Sequence, residues 1–225
     1  MPKLVWDQTG DRMFETGVEK GVFYARDASG AYPLGVAWNG LVGVTESPSG
    51  AEATPFYADN IKYLELRSAE EFGATVEAYT YPDEFALVDG SAAPAVGVKI
   101  GQQSRGVFGL CYKTQIGNDV DGQDHGYNLH LIYGATASPS EKSYQTINES
   151  PEAITFSWEL TTQAIAIDGF KPSATLIIDS TKVDVTKLAA LEALLYGDAT
   201  EPNGDATEPA SLPLPDAVIS LISAV

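Results

Sequence analysis

The chain has 225 residues, with 31 acidic against 13 basic side chains and a formal charge of −18 at pH 7. At that length it buries roughly 70 to 75% of its unfolded surface, so its core needs neither a metal nor disulfides, and the single cysteine, Cys111, rules out an intrachain disulfide. So negative a surface repels duplex DNA, which carries about one phosphate charge per ~1.7 Å of axis, and this disfavours sequence reading or packaging of DNA by direct binding.

The opening MPKLVWDQTGDR has no apolar h-region, and no later run approaches the ~18 contiguous apolar residues of a membrane span. A soluble protein made in a reducing cytoplasm, with no membrane partner, is the expectation. GVAWNGLVGV, residues 35–44, predicts a β-hairpin turning at Asn39-Gly40. TESPSGAEATPFYADN, residues 45–60, follows as a polar excursion with little core to bury. A site lid, a disordered tether and an arm reaching another molecule all fit it. IKYLELR (61–67) and TVEAYTY (75–81) alternate as strands do; between them Ser68 and Glu71 have capping-box spacing with Gly73 as a stop, which predicts one or two helical turns.

Further strands are predicted in GVKIGQQ, GVFGLCYKTQI, YNLHLIYGA, AITFSWELTTQAIAI and SATLIIDST, with a loop tip at 118–122 and a second hairpin signal at Asp168-Gly169. Strands in sequence with short turns imply mainly antiparallel sheets packed as a sandwich or rolled barrel. DVTKLAALEALLYG predicts the one substantial helix: Leu188, Leu191, Leu194 and Leu195 form a narrow apolar face, Asp184 or Thr186 caps the start, and Gly197 stands where a C′ glycine belongs. The hexad GDATEP then occurs twice, at 197 and 204. Residues 1–196 therefore read as one domain, 197–211 as an acidic flexible linker, and 212–225 as an apolar docking segment with Pro215 in the first turn of a short helix.

No GxSxG, HExxH, CxxC, Walker A or GxGxxG pattern is present, and no enzyme activity or cofactor is expected. The strongest chemical candidate is NDVDGQDHG, where Asp119, Asp121 and Asp124 surround a glycine as calcium ligands do; an exposed loop selects the same residues. His125 reads as a solvent histidine and His130 as a sheet-face one, and Cys111 as a small hydrophobe buried in a strand. Trp6, Trp38, Trp158, Tyr79, Tyr81 and Tyr133 read as packing residues, with a carbohydrate platform as the other reading.

Longer strings carry a resemblance. KLVWDQTGDR, GVAWNGLVGVTESPSGAE, EEFGATVEAYTYPDEF, GLCYKTQIGNDVDG, LHLIYGATASPSEKSYQTINESPEAITFSWEL, TLIIDSTKV and LPLPD together resemble the major tail protein, or tail tube protein, of long-tailed bacteriophages and related prophages. The similarity runs from residue 3 to about 196 and resumes at the final helix; the GDATEP duplication departs from it. The resemblance implies a mainly β fold, a two-sheet sandwich or barrel with a flanking α-helix and a short C-terminal helix, assembled as stacked hexameric rings. It implies a virion tail protein, assembled in the host cytoplasm, whose partners are copies of itself, a tape-measure protein and the tail terminator and distal tail proteins, with genomic DNA passing through the lumen unbound. In that frame the 35–60 region becomes a subunit arm, with Trp38, Asn39, Gly40, Pro55, Phe56 and Tyr57 as interface residues. Glu65, Glu77 and Glu159 are the candidates for the lumen face, an outer solvent face being the other reading of each. A phage adhesin or carbohydrate-binding module, and a capsid-decorating or neck protein, are the alternatives.

Overall fold

The computed structural model describes residues 3–147, 149, 153–198 and 209–224. The first half holds β1 (Phe14–Ala25), β2 (Gly35–Trp38), β3 (Leu41–Glu46), β4 (Ser49–Gly50), β5 (Ala53–Ala58), β6 (Ile61–Arg67), β7 (Glu70–Glu71) and β8 (Gly73–Ala78). A 3-10 turn (Asp83–Leu87) and β9 (Ala92–Ala95) and β10 (Val98–Ile100) lead into β11 (Phe108–Asn118), β12 (Gly122–Ala137), β13 (Phe156–Thr162), β14 (Thr175–Asp179), α1 (Val185–Tyr196) and α2 (Pro215–Ser223). The chain is mainly β, as expected, and its two layers come from one antiparallel sheet ordered β2-β1-β11-β12-β13-β8-β3, with β14 also paired to β12.

That sheet folds over on itself. β2 and β13 stand four places apart, about 19 Å on a flat sheet at ~4.8 Å per strand, yet the rings of Trp38 and Trp158 lie 5.5 Å apart. The bend is made in β12, which pairs with β14 through Asn128–Ile132 and with β13 through Ala135–Ala137. Between the two stretches Gly134 adopts φ +62°, and β12 holds one residue more than β11 opposite it, a β-bulge. The extra residue keeps Ile132, Ala135 and Ala137 all on the inner face, where they join Phe23, Trp38, Phe85, Phe108 and Trp158 in the core.

The other face of β1, β11, β12 and β14 is also buried, under the helices. Val22, Tyr24, Cys111, Leu129, Leu131 and Tyr133 alternate with the inner-core residues and meet Leu188, Leu191 and Leu195 of α1. Burial on both faces explains why GLCY and LHLIY read as continuous apolar runs. Asp184 caps α1 by accepting from the backbone N–H of Thr186 and Lys187, and the Tyr24 hydroxyl donates to the Leu195 carbonyl at 2.6 Å. Leu194, placed on the apolar face by spacing, is exposed instead. The C-terminal segment docks on its own chain: Leu212 N–H donates to Tyr32 O, Tyr133 Oη–H donates to Pro213 O, and Val218 is buried. Cys111 is buried in β11, and burial pushes its thiol up to about 12. Within the linker, residues 199–208 lie outside the described residues.

Three expectations about turns and loops change. Asn39-Gly40 is a turn, but β2 and β3 do not form a hairpin: β2 pairs with β1 and β3 with β8, at opposite ends of the sheet order. The inward Trp38 and the aromatic core direct each strand to a different layer, which local turn chemistry does not encode. SAEEFG forms no helical turn, because Glu70 and Glu71 pair with Gly50 and Ser49 as a small two-stranded sheet. The excursion at 45–60 is not loop throughout, since β5 pairs with β6 across Asp59-Asn60, both at positive φ.

A part-buried polar node ties β3 to the other layer. His130 stacks on Tyr112 at 4.6 Å between ring centroids, its Nε2 lies 2.9 Å from Thr114 Oγ1, and the Tyr112 hydroxyl donates to Glu46 Oε1 at 2.6 Å. His130 Nδ1 lies 3.3 Å from Glu46 but off the line of a hydrogen bond. Burial holds the imidazole below its usual 6.5, against the opposing pull of Glu46 and Glu15. The unfolded chain therefore takes up this proton more readily than the folded one, so the node stabilises fully above pH 6.5 and loses its contribution as pH falls through the folded value.

Two outcomes follow. Gly134→Ala, whose Cβ would stand 2.3 Å from Gln163 O at a left-handed φ, should destabilise the fold by about 2 kcal/mol or more in urea titrations; an unchanged midpoint would show that the bend does not need glycine. The stability difference between wild type and His130→Gln should shrink from pH 7.5 to pH 5, and a pH-independent difference would remove the node from the acid response.

Candidate assembly surfaces

The β5–β6 hairpin is a sheet of its own, paired to no other strand among the described residues. Phe56 stands opposite Leu64 and Thr54 opposite Leu66 on one face, while Pro55 opposite Glu65 and Ala53 opposite Arg67 make the other. Glu65 pairs with Lys62 and lies 3.8 Å from Arg67. The apolar face is largely open among the described residues: Phe56 is 47% exposed, Leu64 40% and Leu66 58%. A two-stranded hairpin is marginal in water on its own, so this one calls for a surface to lie on.

The interface residues expected from the sequence therefore separate. Phe56 belongs to the uncovered face and Tyr57 is exposed beside it, whereas Pro55 faces the other way. Asn39 is exposed in its turn, and Gly40 at φ +76° accepts from Tyr79 N–H. Trp38 is corrected to a core residue: it is 3% exposed, packed on Phe85 and Trp158, and donates its indole N–H to Thr80 O. Leu64 and Leu66 were missed, because IKYLELR alternates like a core strand. The signal that could have found them is Asp59-Asn60, a pair of turn residues between two alternating runs.

The acidic candidates separate as well. Glu65 sits on the hairpin, but Glu77 and Glu159 share the outward face of β8 and β13, where Glu77 is opposite Ser157 and Glu159 opposite Thr75. Gly43 and Thr45 of β3 continue that face. Its residues are small, hydroxylated or acidic, and no cation stands in register. The outer edge of β3 has no strand partner among the described residues. The edge of β2 is covered in part by the chain itself, with Gly35 N–H donating to Ala210 O.

The remaining candidates do not assemble into a site. Asp119 accepts from Gly10 N–H and lies 3.7 Å from Arg12, while Asp121 takes His125 Nδ1 at 2.9 Å and Asn118 Nδ2 at 3.2 Å. Those hydrogen bonds, His125 first, hold the Asp121 carboxyl below its usual value. Asp124 joins neither set, so the three carboxylates do not converge, and among the described residues no cluster of three His, Cys, Asp or Glu side chains has a geometry to hold a metal. His125 is thus a partner of Asp121 and not simply a solvent histidine. Trp158 and Tyr133 are buried, Tyr81 is half-buried, and Trp6 and Tyr79 are exposed on different segments, so the six aromatics make no common platform.

No family model matches the chain, and no curated protein matches it. Among solved structures, the chain is similar to a chain of the sheath–tube complex of PVC, an extracellular contractile injection system, in its extended state: 10% identity and a TM-score of 0.32 over 71% of this chain and 88% of that one. It is also similar to a chain of the baseplate of the anti-feeding prophage AFP, at 9% identity and a TM-score of 0.33 over 78% of this chain and 97% of that one.

Proposed function

We propose that the chain is a structural, non-enzymatic subunit that polymerises into the hollow tail tube of a long-tailed phage or prophage, as stacked hexameric rings through which DNA passes. The observation that carries this reading is the β5–β6 hairpin, whose Phe56, Leu64 and Leu66 no other strand covers among the described residues. Ordered sequence strings resembling tail tube proteins run through nearly the whole chain and supply the choice of assembly. The open edge of β3 adds a second requirement for a partner, because an unpaired strand edge recruits another strand and a closed ring ends that recruitment.

Energetics separate the roles of the two surfaces. Burying the exposed parts of Phe56, Leu64 and Leu66 contributes about 1 kcal/mol each, while association costs on the order of 4 to 15 kcal/mol. The hairpin alone is too weak to hold two copies, so it acts with edge pairing inside a ring where several contacts form together. In the assembled tube the face bearing Glu77 and Glu159 lines the channel. It repels phosphate and leaves DNA free to move. Before release, a tape-measure protein occupies the same channel, and the tail terminator and distal tail proteins close the two ends.

Gly50 and Ala69 lie side by side at the root of the hairpin. Deleting residues 51–68 and joining those two should therefore leave a folded monomer that forms no rods in electron micrographs, and rods of normal length from this variant would refute the assignment of the arm. In assembled particles, Glu77→Lys together with Glu159→Lys should leave tubes intact and slow DNA ejection severalfold; unchanged ejection would take these residues off the channel wall.

A further inference from the structure

Four asparagines lie among the described residues, and their settings differ. Asn118 is buried; its Oδ1 accepts from the backbone N–H of Val120 and Asp121, and its Nδ2 donates to Asp121. Asn128 is buried too, with Nδ2 donating to Glu15 Oε1 at 3.0 Å. Asn60 is exposed in the β5–β6 turn, but the branched Ile61 follows it. Asn39 alone combines exposure, a side chain with no hydrogen-bond partner among the described residues, and a following glycine. Gly40 N–H has no acceptor among the described residues either.

That combination has a definite chemistry. A side chain on residue 40 would crowd its amide nitrogen, and glycine has none. The Gly40 nitrogen bonds to Asn39 Cγ as the Cγ–Nδ2 bond breaks, and Nδ2 leaves as ammonia with the Gly40 amide proton. Water then opens the cyclic imide at either carbonyl. Opening at Cγ gives aspartate; opening at the main-chain carbonyl gives isoaspartate, in which the backbone runs through the former side chain.

We infer that Asn39-Gly40 is the site at which this chain deamidates as it ages, and that the isoaspartate product loosens the seam between the two layers. The inference does not depend on the assembly reading. β2 ends at Trp38, paired to Gly21 of β1, and β3 begins at Leu41, paired to Ala78 of β8. Asn39 and Gly40 therefore cross from one end of the sheet order to the other. The crossing is pinned on both sides: Trp38 donates its indole N–H to Thr80 O at 2.9 Å, and Gly40 O accepts from Tyr79 N–H at 2.8 Å. Isoaspartate adds one backbone bond, about 1.5 Å, to this pinned link, so Trp38 or Leu41 must leave its register. The new carboxylate stands in a groove that Asn39 lines with Glu19, Lys20 and Tyr196, and it adds negative charge to a chain already at −18.

The test is prolonged incubation of the purified full chain at mildly alkaline pH, followed by peptide mapping and urea titration. The expected result is loss of the unmodified peptide containing residue 39 in favour of two isomers, each heavier by the exchange of an amide for an acid. The peptides of Asn60, Asn118 and Asn128 should keep their amides, and Asn39→Gln should abolish the reaction at this position with the fold intact. The second Asn-Gly pair, Asn203-Gly204, lies outside the described residues, and mapping reads it separately. The isoaspartate fraction should unfold at lower urea than fresh protein, whereas fresh Asn39→Asp, which has the charge without the longer backbone, should keep the wild-type midpoint. An intact Asn39 after incubation, or equally fast conversion of any of the other three, overturns the site. An isoaspartate fraction with the wild-type midpoint, or Asn39→Asp unfolding as early as that fraction, overturns its effect on the seam. None of these results touches the tube reading.

Discussion

One sheet buried on both faces has to bend, and the bend at Gly134 sets the rest of the molecule. On one side of it β12 pairs with β14 and carries the helices; on the other it pairs with β13 and leads into the layer that closes over the aromatic core. A side chain at that position would meet the Gln163 carbonyl. Because a bulge shifts alternation by one residue, it also decides which apolar residues enter which core. The inner core then fixes where β3 and β8 lie, and through them where the hairpin arm leaves the body.

The body so formed satisfies its own core but not its outlying segments. The large inner aromatics are fully buried, and the outer layer is sealed by α1 and by a C-terminal segment that returns to the body through backbone hydrogen bonds. The hairpin, the β3 edge and the segment before β1 all carry groups that fold without cover. Apolar residues are common on surfaces when scattered singly; here they are gathered on a hairpin, with Phe56, Leu64 and Leu66 on one face and Ile61 and Tyr63 on the other, and in one run of three. The strong negative charge works against casual aggregation of such surfaces. Any association is thereby restricted to arrangements that bury enough apolar surface to offset the repulsion.

Periodicity made the strands of the main sheet and α1 legible in the sequence, because their residues face a core at period two or near 3.6. Of the two cap candidates Asp184 is the one used and Gly197 ends the helix, and the burial of Cys111 followed from its apolar strand. Partner choice was not legible. Asn39-Gly40 has the chemistry of a hairpin turn, yet Trp38 is drawn into the core of β13 and the 3-10 turn, so its strand pairs with β1. The arm was hidden for the opposite reason: IKYLELR alternates as a buried strand does, while its apolar face meets no core. Phe56 could be named from its chemistry, whereas Leu64 and Leu66 needed the register across Asp59-Asn60. The acidic residues Glu65, Glu77 and Glu159 look alike in sequence, and only strand pairing puts two of them on one face and the third on the arm.

The central claim is that a single copy is incomplete and is finished by others of its kind. Electron microscopy of the purified full-length protein at high concentration tests it most directly. Hollow rods, or rings with sixfold end views, are the predicted result. A protein that stays monomeric under those conditions, even with the tail initiator and tape-measure protein supplied, would contradict the account.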